Sequence, residues 1–196
     1  SHVFRGHKAD IYDGGHRVPF LARWPARAKA GVTSAHPVCL TDFMATCADI
    51  VGERLPDDAG EDSFSFLGAL TGDGNGPVRE SIVHHSINGS FAIREGRWKL
   101  ELCPGSGGWS QPRPGKDDAS HLPAVQLYDM QSDVGETRNL ESRHPEEVGR
   151  LTKLLEKIVA DGRSTPGGVQ KNTVEVDIWK AGKEAHRPLP AKKGKK

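Results

Sequence analysis

The sequence holds little cysteine, no long hydrophobic run and almost no net charge, and each of these absences excludes a class of protein. Its three cysteines cannot all pair within the chain, and none belongs to a C-x-x-C motif, so we expect neither a disulfide framework nor a cysteine-based metal or redox motif. No run of about 18 apolar residues is present, and we therefore expect no membrane insertion. A formal net charge of +1 gives no reason to expect nucleic acid as a partner.

The first residues also lack the pattern of a targeting signal. The segment Ser1-His2-Val3-Phe4 has no initiator methionine. It also lacks the basic region and the apolar region that make up a signal peptide. We therefore expect the sequence to be one part of a longer protein.

The residues that are present have the composition of a globular protein. Apolar residues make up 35% of the chain, and counting the 23 glycines raises this share to about 47%. Periodicity predicts a mostly buried strand over residues 18–24, a helix over 40–51 ended by Gly52, and a loop over 103–124. Residue alternation then predicts strands over 81–85, 91–94, 98–102 and 125–129. A final amphipathic helix is predicted over 144–161.

These elements predict α/β structure in the first third of the chain and a small α+β subdomain after it. The subdomain is expected to be an antiparallel sheet with one long amphipathic helix. We place the domain boundaries so that residues 1–78 form the α/β part, 79–162 form the subdomain, and 163–196 form an extended, basic tail.

Lys8 is the first candidate for chemistry. An anion site needs compact positive charge together with backbone N–H groups that can approach closely, and Lys8 stands beside the glycine turn at Asp13-Gly14-Gly15. A solvent-exposed lysine in a polar loop explains the same residues without any ligand, and the local sequence alone does not separate the two interpretations.

Four segments resemble motifs of the sulfatase family. Residues 5–19 read RGHKADIYDGGHRVP and resemble the family pattern R-G-x-K-x-x-x-Y-E-G-G-x-R-V-P, with Asp13 in place of glutamate, and Trp24-Pro25 follow as in the family. Three weaker matches follow in the same order as in the family, although Ala45 and Val134 replace its usual prolines. They are the helix beginning at Asp42, the hairpin segment AIREGRWKL over 92–100, and the segment from Leu127 to Leu140.

The resemblance implies an arylsulfatase-type sulfuric ester hydrolase, with residues 1–78 as the end of a partial alkaline-phosphatase-like core. In the family, the lysine that matches Lys8 contacts the sulfate group, and Lys8 is therefore the expected catalytic residue. The family's nucleophile is a formylglycine made within C/S-x-P/A-x-R, and Cys39, Cys47 and Cys103 all lack that pattern. The resemblance thus implies the C-terminal part of a sulfatase, inactive on its own.

The family also binds calcium through an early Asp-Asp pair and an Asp-Asn pair that stands shortly before the lysine motif. Neither pair is found in this chain, so we expect no metal site within it and calcium in the full-length protein. Because the family is commonly exported, we expect the full-length protein to be periplasmic or secreted.

A sulfated small molecule or sulfated glycan is the expected substrate, and several residues are candidates to contact it. His7 and His16 flank Lys8 and the glycine turn. His84 and His85 are neighbours on a predicted strand, so their side chains should point to opposite faces, and at most one is expected to reach a site. Trp109 lies in the long predicted loop, where it is a candidate to stack on a sugar ring.

Two other functions stay open from the sequence. A phosphatase, phosphodiesterase or phosphonate hydrolase of the same superfamily would share the fold, and fold alone does not separate these activities. A non-catalytic carbohydrate-binding or interaction module is the alternative from a different class. The nature of the residues that precede Ser1 in the gene would discriminate among them.

Overall fold

The computed structural model describes residues 3–74, 76 and 78–179, which divide between two compact units. The sheet unit comprises Ser1–Arg17, Val83–Lys153 and Asp177–Lys196, and the helical unit comprises Val18–Ile82 and Leu154–Val176, each only as far as its residues are described. The predicted domain boundaries after residues 78 and 162 stay predictions. Most of the predicted basic tail, residues 180–196, lies outside the described residues.

The sheet unit is built on four strands in the spatial order β1-β2-β3-β4. Strands β2 and β3 pair antiparallel, as do β3 and β4, so that Leu100 lies opposite both Ile93 and Leu127. Gly96, with φ of 55°, permits the tight turn between β2 and β3. The antiparallel sheet expected from residue alternation is confirmed; its strands are Ser81–His85, Phe91–Glu95, Trp98–Glu101 and Gln126–Asp129.

Both faces of this sheet carry buried side chains. Ile93, Leu100 and Leu127 are fully buried. A second buried cluster lies in the same unit and joins the segment around residue 11 to the strands: Ile11, Tyr12, Ala92, Cys103, Tyr128 and Met130. Burying one large apolar side chain contributes about 1.5–3 kcal/mol, so this cluster firmly anchors the segment that carries Lys8 to the sheet.

Two helices contribute residues to the sheet unit. The short helix α1 spans Asp13–His16, and the long helix α4 spans Pro145–Asp161 and crosses from one unit into the other. Proline fits the first position of α4, because its missing N–H would have no partner there, and Glu146 and Glu147 occupy the positive end of the helix dipole.

In the helical unit, a single turn of 3-10 helix over Leu40–Asp42 leads into α2, Phe43–Val51, and a short helix α3 spans Leu67–Thr71. Gly52 ends α2 with φ of 77°, as its sequence position predicts. The buried carboxylate of Asp42 accepts a hydrogen bond from the Arg79 guanidinium at 2.8 Å.

The buried strand predicted over residues 18–24 is wrong. These residues adopt neither strand nor helix, and the side chain of Leu21 is 94% exposed. A strand needs a neighbouring chain for its backbone hydrogen bonds, and no described segment pairs with this one. Cys39 is half-buried and Cys47 is exposed, so neither belongs to the core. Among the described residues, no helix is long and apolar enough to cross a membrane.

Candidate functional site

Lys8 lies on a tight turn of residues 7–10, which we call the Lys8 turn. Asp10 N donates to His7 O at 3.0 Å, and His7 N donates to Asp10 Oδ2 at 2.9 Å, so the turn is closed twice. Ala9 has φ of 85°, a left-handed conformation that residues with a Cβ rarely adopt. The side chain of Lys8 is exposed, and no ion pair of Lys8 is found in the part of the chain that the structure describes.

The glycines after the Lys8 turn allow helix α1 to pack against it. A Cβ on Gly14 would lie 2.4 Å from Arg5 O and from Gly6 O, and a Cβ on Gly15 would lie 2.4 Å from Asp10 O. Gly14 N instead donates to Arg5 O at 2.7 Å. The glycines thus fix helix α1 against the Lys8 turn, and Gly15 N donates to Tyr12 O at 2.8 Å. Both N–H groups are used within the chain, and the anion contact expected of the glycine turn stays a prediction.

The loop that follows β3 reaches the Lys8 turn. Residues 103–108 of this loop are buried, and Trp109 then emerges with 52% of its side chain exposed. The ring centroids of Trp109 and His7 are 6.5 Å apart. The structure therefore brings together three of the sequence-predicted site residues, His7, Lys8 and Trp109, on one exposed region of the sheet unit.

His16 and His84 form a second group. Their ring centroids lie 4.6 Å apart, and His16 Nε2 and His84 Nδ1 are buried without a hydrogen-bond partner among the described residues. Burial and the nearby charge of Lys99 lower the pKa of both rings, that of His84 to about 3. Both imidazoles are therefore neutral near pH 7, and each offers one unused ring nitrogen.

His85 does not join either group. Its exposed ring packs edge-on against Phe91, with centroids 4.1 Å apart. His84 and His85 thus have different surroundings, as expected for neighbours on a strand.

Behind the exposed residues lies a buried ion cluster, the Lys99 centre, formed by Asp13, Lys99, Glu101 and Glu136. The Lys99 ammonium is 0% exposed and donates its three protons to Ile11 O at 3.0 Å, Asp13 Oδ1 at 3.0 Å and Glu136 Oε1 at 2.6 Å. Glu101 Oε1 lies 3.1 Å from the same nitrogen. Because an ammonium has only three protons, Glu101 gains the charge attraction without a hydrogen bond, and both its oxygens lack a hydrogen-bond partner.

The pKa values of Asp13 and Glu101 in the Lys99 centre are shifted in opposite directions. Burial tends to raise the pKa of Asp13, but the charge of Lys99 and contacts from Arg17 and Arg94 outweigh it and lower the pKa to about 2. Burial raises the pKa of Glu101, and the neighbouring charge of Glu136 adds to this rise, while Lys99 only partly offsets it. Burial disfavours the charged form of Lys99, but the surrounding carboxylates raise its pKa overall. Lys99 therefore stays charged, while Asp13 is held in its ionised form and Glu101 is shifted towards its protonated form.

The sequence interpretation missed the Lys99 centre, although its signals were present. Strict alternation places Lys99 and Glu101 on the same face of β3, where two charged residues on a buried strand must find partners. Asp13, Lys99 and Glu136 also lie in three of the four segments that resemble the sulfatase motifs. The structure shows that those segments meet at this point.

No described group fits calcium. Calcium takes six to eight oxygen ligands, whereas the described residues contain no group of three or more His, Cys, Asp or Glu side chains placed to hold a metal ion. The carboxylates that do converge surround the Lys99 ammonium instead. Calcium consequently enters no step that we assign to this chain.

The known proteins that are similar to this chain are sulfatases. No protein-family model matches the chain. It is 35% identical over 159 residues to the N-acetylgalactosamine-6-O-sulfatase of Bacteroides thetaiotaomicron, covering 80% of this chain and 30% of that protein. It is 33% identical over 149 residues to arylsulfatase A of Homo sapiens, covering 71% and 29%. The chain thus spans about 30% of the length of these relatives.

A solved structure from work on the metabolism of multiple glycosaminoglycans by Bacteroides thetaiotaomicron is similar in fold as well as in sequence. It superposes with a TM-score of 0.66 at 32% identity, over 80% of this chain and 32% of that one.

Proposed function

Because the chain belongs to the sulfatase family, we propose that it is the C-terminal part of an arylsulfatase-type sulfuric ester hydrolase in which Lys8 contacts the sulfate group. The observation that supports this most directly is the state of Lys8. Its ammonium is exposed, free of ion pairs in the described ranges, and carried on a turn that backbone and carboxylate bonds hold in a left-handed conformation. Such strain persists where the surrounding structure fixes it, commonly at binding sites.

The chemistry of sulfate esters suits a single exposed lysine. Hydrolysis breaks an S–O bond and requires cations around the remaining sulfate oxygens, so a protein acts mainly by positioning and by charge. A charge-assisted contact from Lys8 contributes on the order of 1.5–3 kcal/mol to binding. Where the contact strengthens as charge develops on the leaving oxygen, its loss lowers turnover by about 10²–10³-fold.

The nucleophile and the calcium ligands belong, in this proposal, to residues outside this chain. The chain offers no C/S-x-P/A-x-R motif and spans only about 30% of its sulfatase relatives. The isolated chain is then inactive towards sulfate esters. Export of the full-length protein to the periplasm or outside the cell is part of the same proposal.

The substrate that we propose is a sulfated sugar or sulfated glycan. Trp109 presents an exposed aromatic face beside the Lys8 turn, which is suited to the apolar face of a pyranose ring. The His7 ring on the Lys8 turn is a further candidate contact, with its centroid 6.5 Å from that of Trp109. The unused nitrogens of His16 and His84 are buried, and a substrate contact to either ring would require them to become accessible. The Bacteroides relative, at 35% identity, is named for N-acetylgalactosamine 6-O-sulfate chemistry, which supports a sugar over a simple aryl sulfate.

Two measurements test the proposal. The reading frame upstream of the Ser1 codon should encode a C/S-x-P/A-x-R motif together with an Asp-Asp pair; a different nucleophile would indicate a phosphatase-like enzyme, and an unrelated domain would indicate a binding module. In the full-length protein, Lys8→Ala should lower the turnover of N-acetylgalactosamine 6-sulfate by about 10²–10³-fold. Lys153→Ala, which removes an exposed lysine from α4, is the matched control and should leave turnover unchanged.

A further inference from the structure

Asp10 is the buried residue that joins the Lys8 turn to the Trp109 segment. Its carboxylate is 0% exposed and accepts four hydrogen bonds. One comes from within the turn, from His7 N to Oδ2 at 2.9 Å. The other three come from the far loop: Trp109 N to Oδ1 at 2.8 Å, Ser110 N to Oδ1 at 3.0 Å, and Ser110 Oγ to Oδ2 at 2.5 Å.

The neighbouring backbone reinforces this connection. Ile11 N donates to Ser106 O at 2.7 Å, so the two segments are held on both sides of Asp10. A Cβ on Gly108 would lie 2.4 Å from Ala9 O and 2.6 Å from Asp10 Oδ1, which shows how closely the loop approaches the turn. The backbone atoms of Lys8 and Trp109 therefore belong to one rigid piece of structure.

The side chains of Lys8 and Trp109 point outward from this rigid piece, and their own contacts do not explain why their backbones are held so firmly. Lys8 is exposed and makes no ion pair within the described ranges, and about half of the Trp109 side chain faces solvent. Burial of apolar surface is therefore not what fixes the two side chains. A buried carboxylate that is fully hydrogen-bonded to the segments carrying two exposed, chemically distinct groups is the arrangement that a two-part ligand requires.

We propose that Asp10 is a positioning residue that sets the distance between the sulfate contact at Lys8 and a sugar platform at Trp109. This inference rests on the proposed function. The ligand is the sulfated sugar of that proposal, whose ring contacts Trp109 while its sulfate contacts Lys8. A sulfate ester without a ring would use the Lys8 contact alone.

The test compares two substrates in the full-length protein, N-acetylgalactosamine 6-sulfate and a short alkyl sulfate that has no ring. Trp109→Ala should raise KM for the sugar sulfate about tenfold more than KM for the alkyl sulfate, as expected for the loss of one ring contact. Asp10→Asn should produce the same shift in selectivity and also lower kcat for the sugar sulfate, because misplacement by about 1 Å is costly. Trypsin should cleave after Lys116 faster in Asp10→Asn, since the loop has lost its anchor.

Asp133→Asn is the matched control for a purely structural effect. Asp133 is also buried and accepts two backbone N–H groups and one hydroxyl, from Thr137 and Arg138, but it anchors no exposed candidate residue. Both substitutions should lower thermal stability, whereas only Asp10→Asn should change the ratio of the two KM values. If Asp10→Asn does not fold, Ser110→Ala removes one of the four hydrogen bonds and should shift selectivity in the same direction by a smaller factor.

The outcomes separate this inference from the proposed function. Equal KM ratios for Asp10→Asn, or for Ser110→Ala, and for the control would overturn the positioning role, even if Lys8→Ala abolishes turnover. Wild-type turnover of both substrates by Lys8→Ala would instead overturn the proposed function itself.

Discussion

Two lysines of the sheet unit occupy opposite environments, although both lie in segments that resemble sulfatase motifs. Lys8 stands exposed on a strained turn and makes no ion pair within the described ranges. Lys99 is fully buried and faces three carboxylates, Asp13, Glu101 and Glu136, at 2.6–3.1 Å. The same residue type is therefore fully paired at one position and exposed, without an ion pair among the described residues, at the other.

If Lys8 contacts sulfate as we propose, the difference distinguishes a structural charge from a binding charge. Removing an ammonium from water costs several kcal/mol, so a buried lysine persists only when its partners satisfy all three protons. Lys99 meets that condition and has no capacity left for a ligand. Lys8 has kept its solvation and its three protons, and a ligand anion is the partner that its position can accept.

The Lys99 centre also explains why distant motifs occur together. It holds Asp13 from the segment after the Lys8 turn, Lys99 and Glu101 from β3, and Glu136 from the segment after β4. Three of the four segments thus contribute a member to a single buried cluster. Glu101 and Glu136 share the Lys99 ammonium, so the loss of Lys99 would leave both without a cation.

The largest effect is expected from breaking the Lys99 centre. Lys99→Met should lower the free energy of unfolding by about 3–5 kcal/mol, because Glu101 and Glu136 would be left buried without their cation and Asp13 would keep only its arginine partners. Denaturant unfolding followed by circular dichroism measures this change. Lys153→Met on the exposed face of α4 is the control and should stay within about 0.5 kcal/mol of the wild type. A loss below 1 kcal/mol for Lys99→Met would show that the carboxylates are neutralised by protons.

A smaller loss is expected at the glycine turn that links the two lysines. Gly14→Ala should cost about 1–3 kcal/mol, since its Cβ would meet two carbonyl oxygens at 2.4 Å and the backbone must shift. The same measurement on Gly149→Ala, where no atom lies within 4 Å of the new Cβ, should show no loss. If Gly14→Ala keeps wild-type stability, the packing of α1 against the Lys8 turn is looser than the structure indicates.

Acid should selectively weaken the Lys99 centre. The pKa of Asp13 is lowered to about 2, below the usual 3.9 of an unfolded chain, so its contribution to stability is present above about pH 4 and is lost as the pH falls towards 2. Asp13→Asn lacks this titration. The difference in unfolding free energy between wild type and variant should therefore shrink by on the order of 1–2 kcal/mol between pH 5 and pH 2. A constant difference across that range would show that the pKa of Asp13 is the same in the folded and the unfolded protein.

The sequence predicted local elements and missed how they combine. Alternation around Leu100 and Leu127 located the antiparallel strands, because side chains of a sheet with a buried face must alternate. The same logic failed for residues 18–24, because an apolar run does not reveal whether a partner strand exists. The sequence singled out Lys8, His7 and Trp109 separately as candidate site residues. Asp10 joins the segments that carry them, and its hydrogen bonds come largely from a segment about 100 residues away. Local patterns carry no information about such long-range contacts.

The smallest change in stability, and the sharpest test of the comparison, is expected at Lys8. Lys8→Met should alter the free energy of unfolding by less than about 0.5 kcal/mol, because an exposed side chain without an ion pair contributes little to the folded state. Lys99→Met, the same chemical change, should cost several-fold more under identical conditions. In the full-length protein, Lys8→Met should have its large effect on turnover instead of on stability. Most turnover of substrate should be lost while the folded fraction stays at the wild-type level. A destabilised Lys8→Met would mean that the ammonium has a structural partner, and Lys8 would then lose its distinction from Lys99.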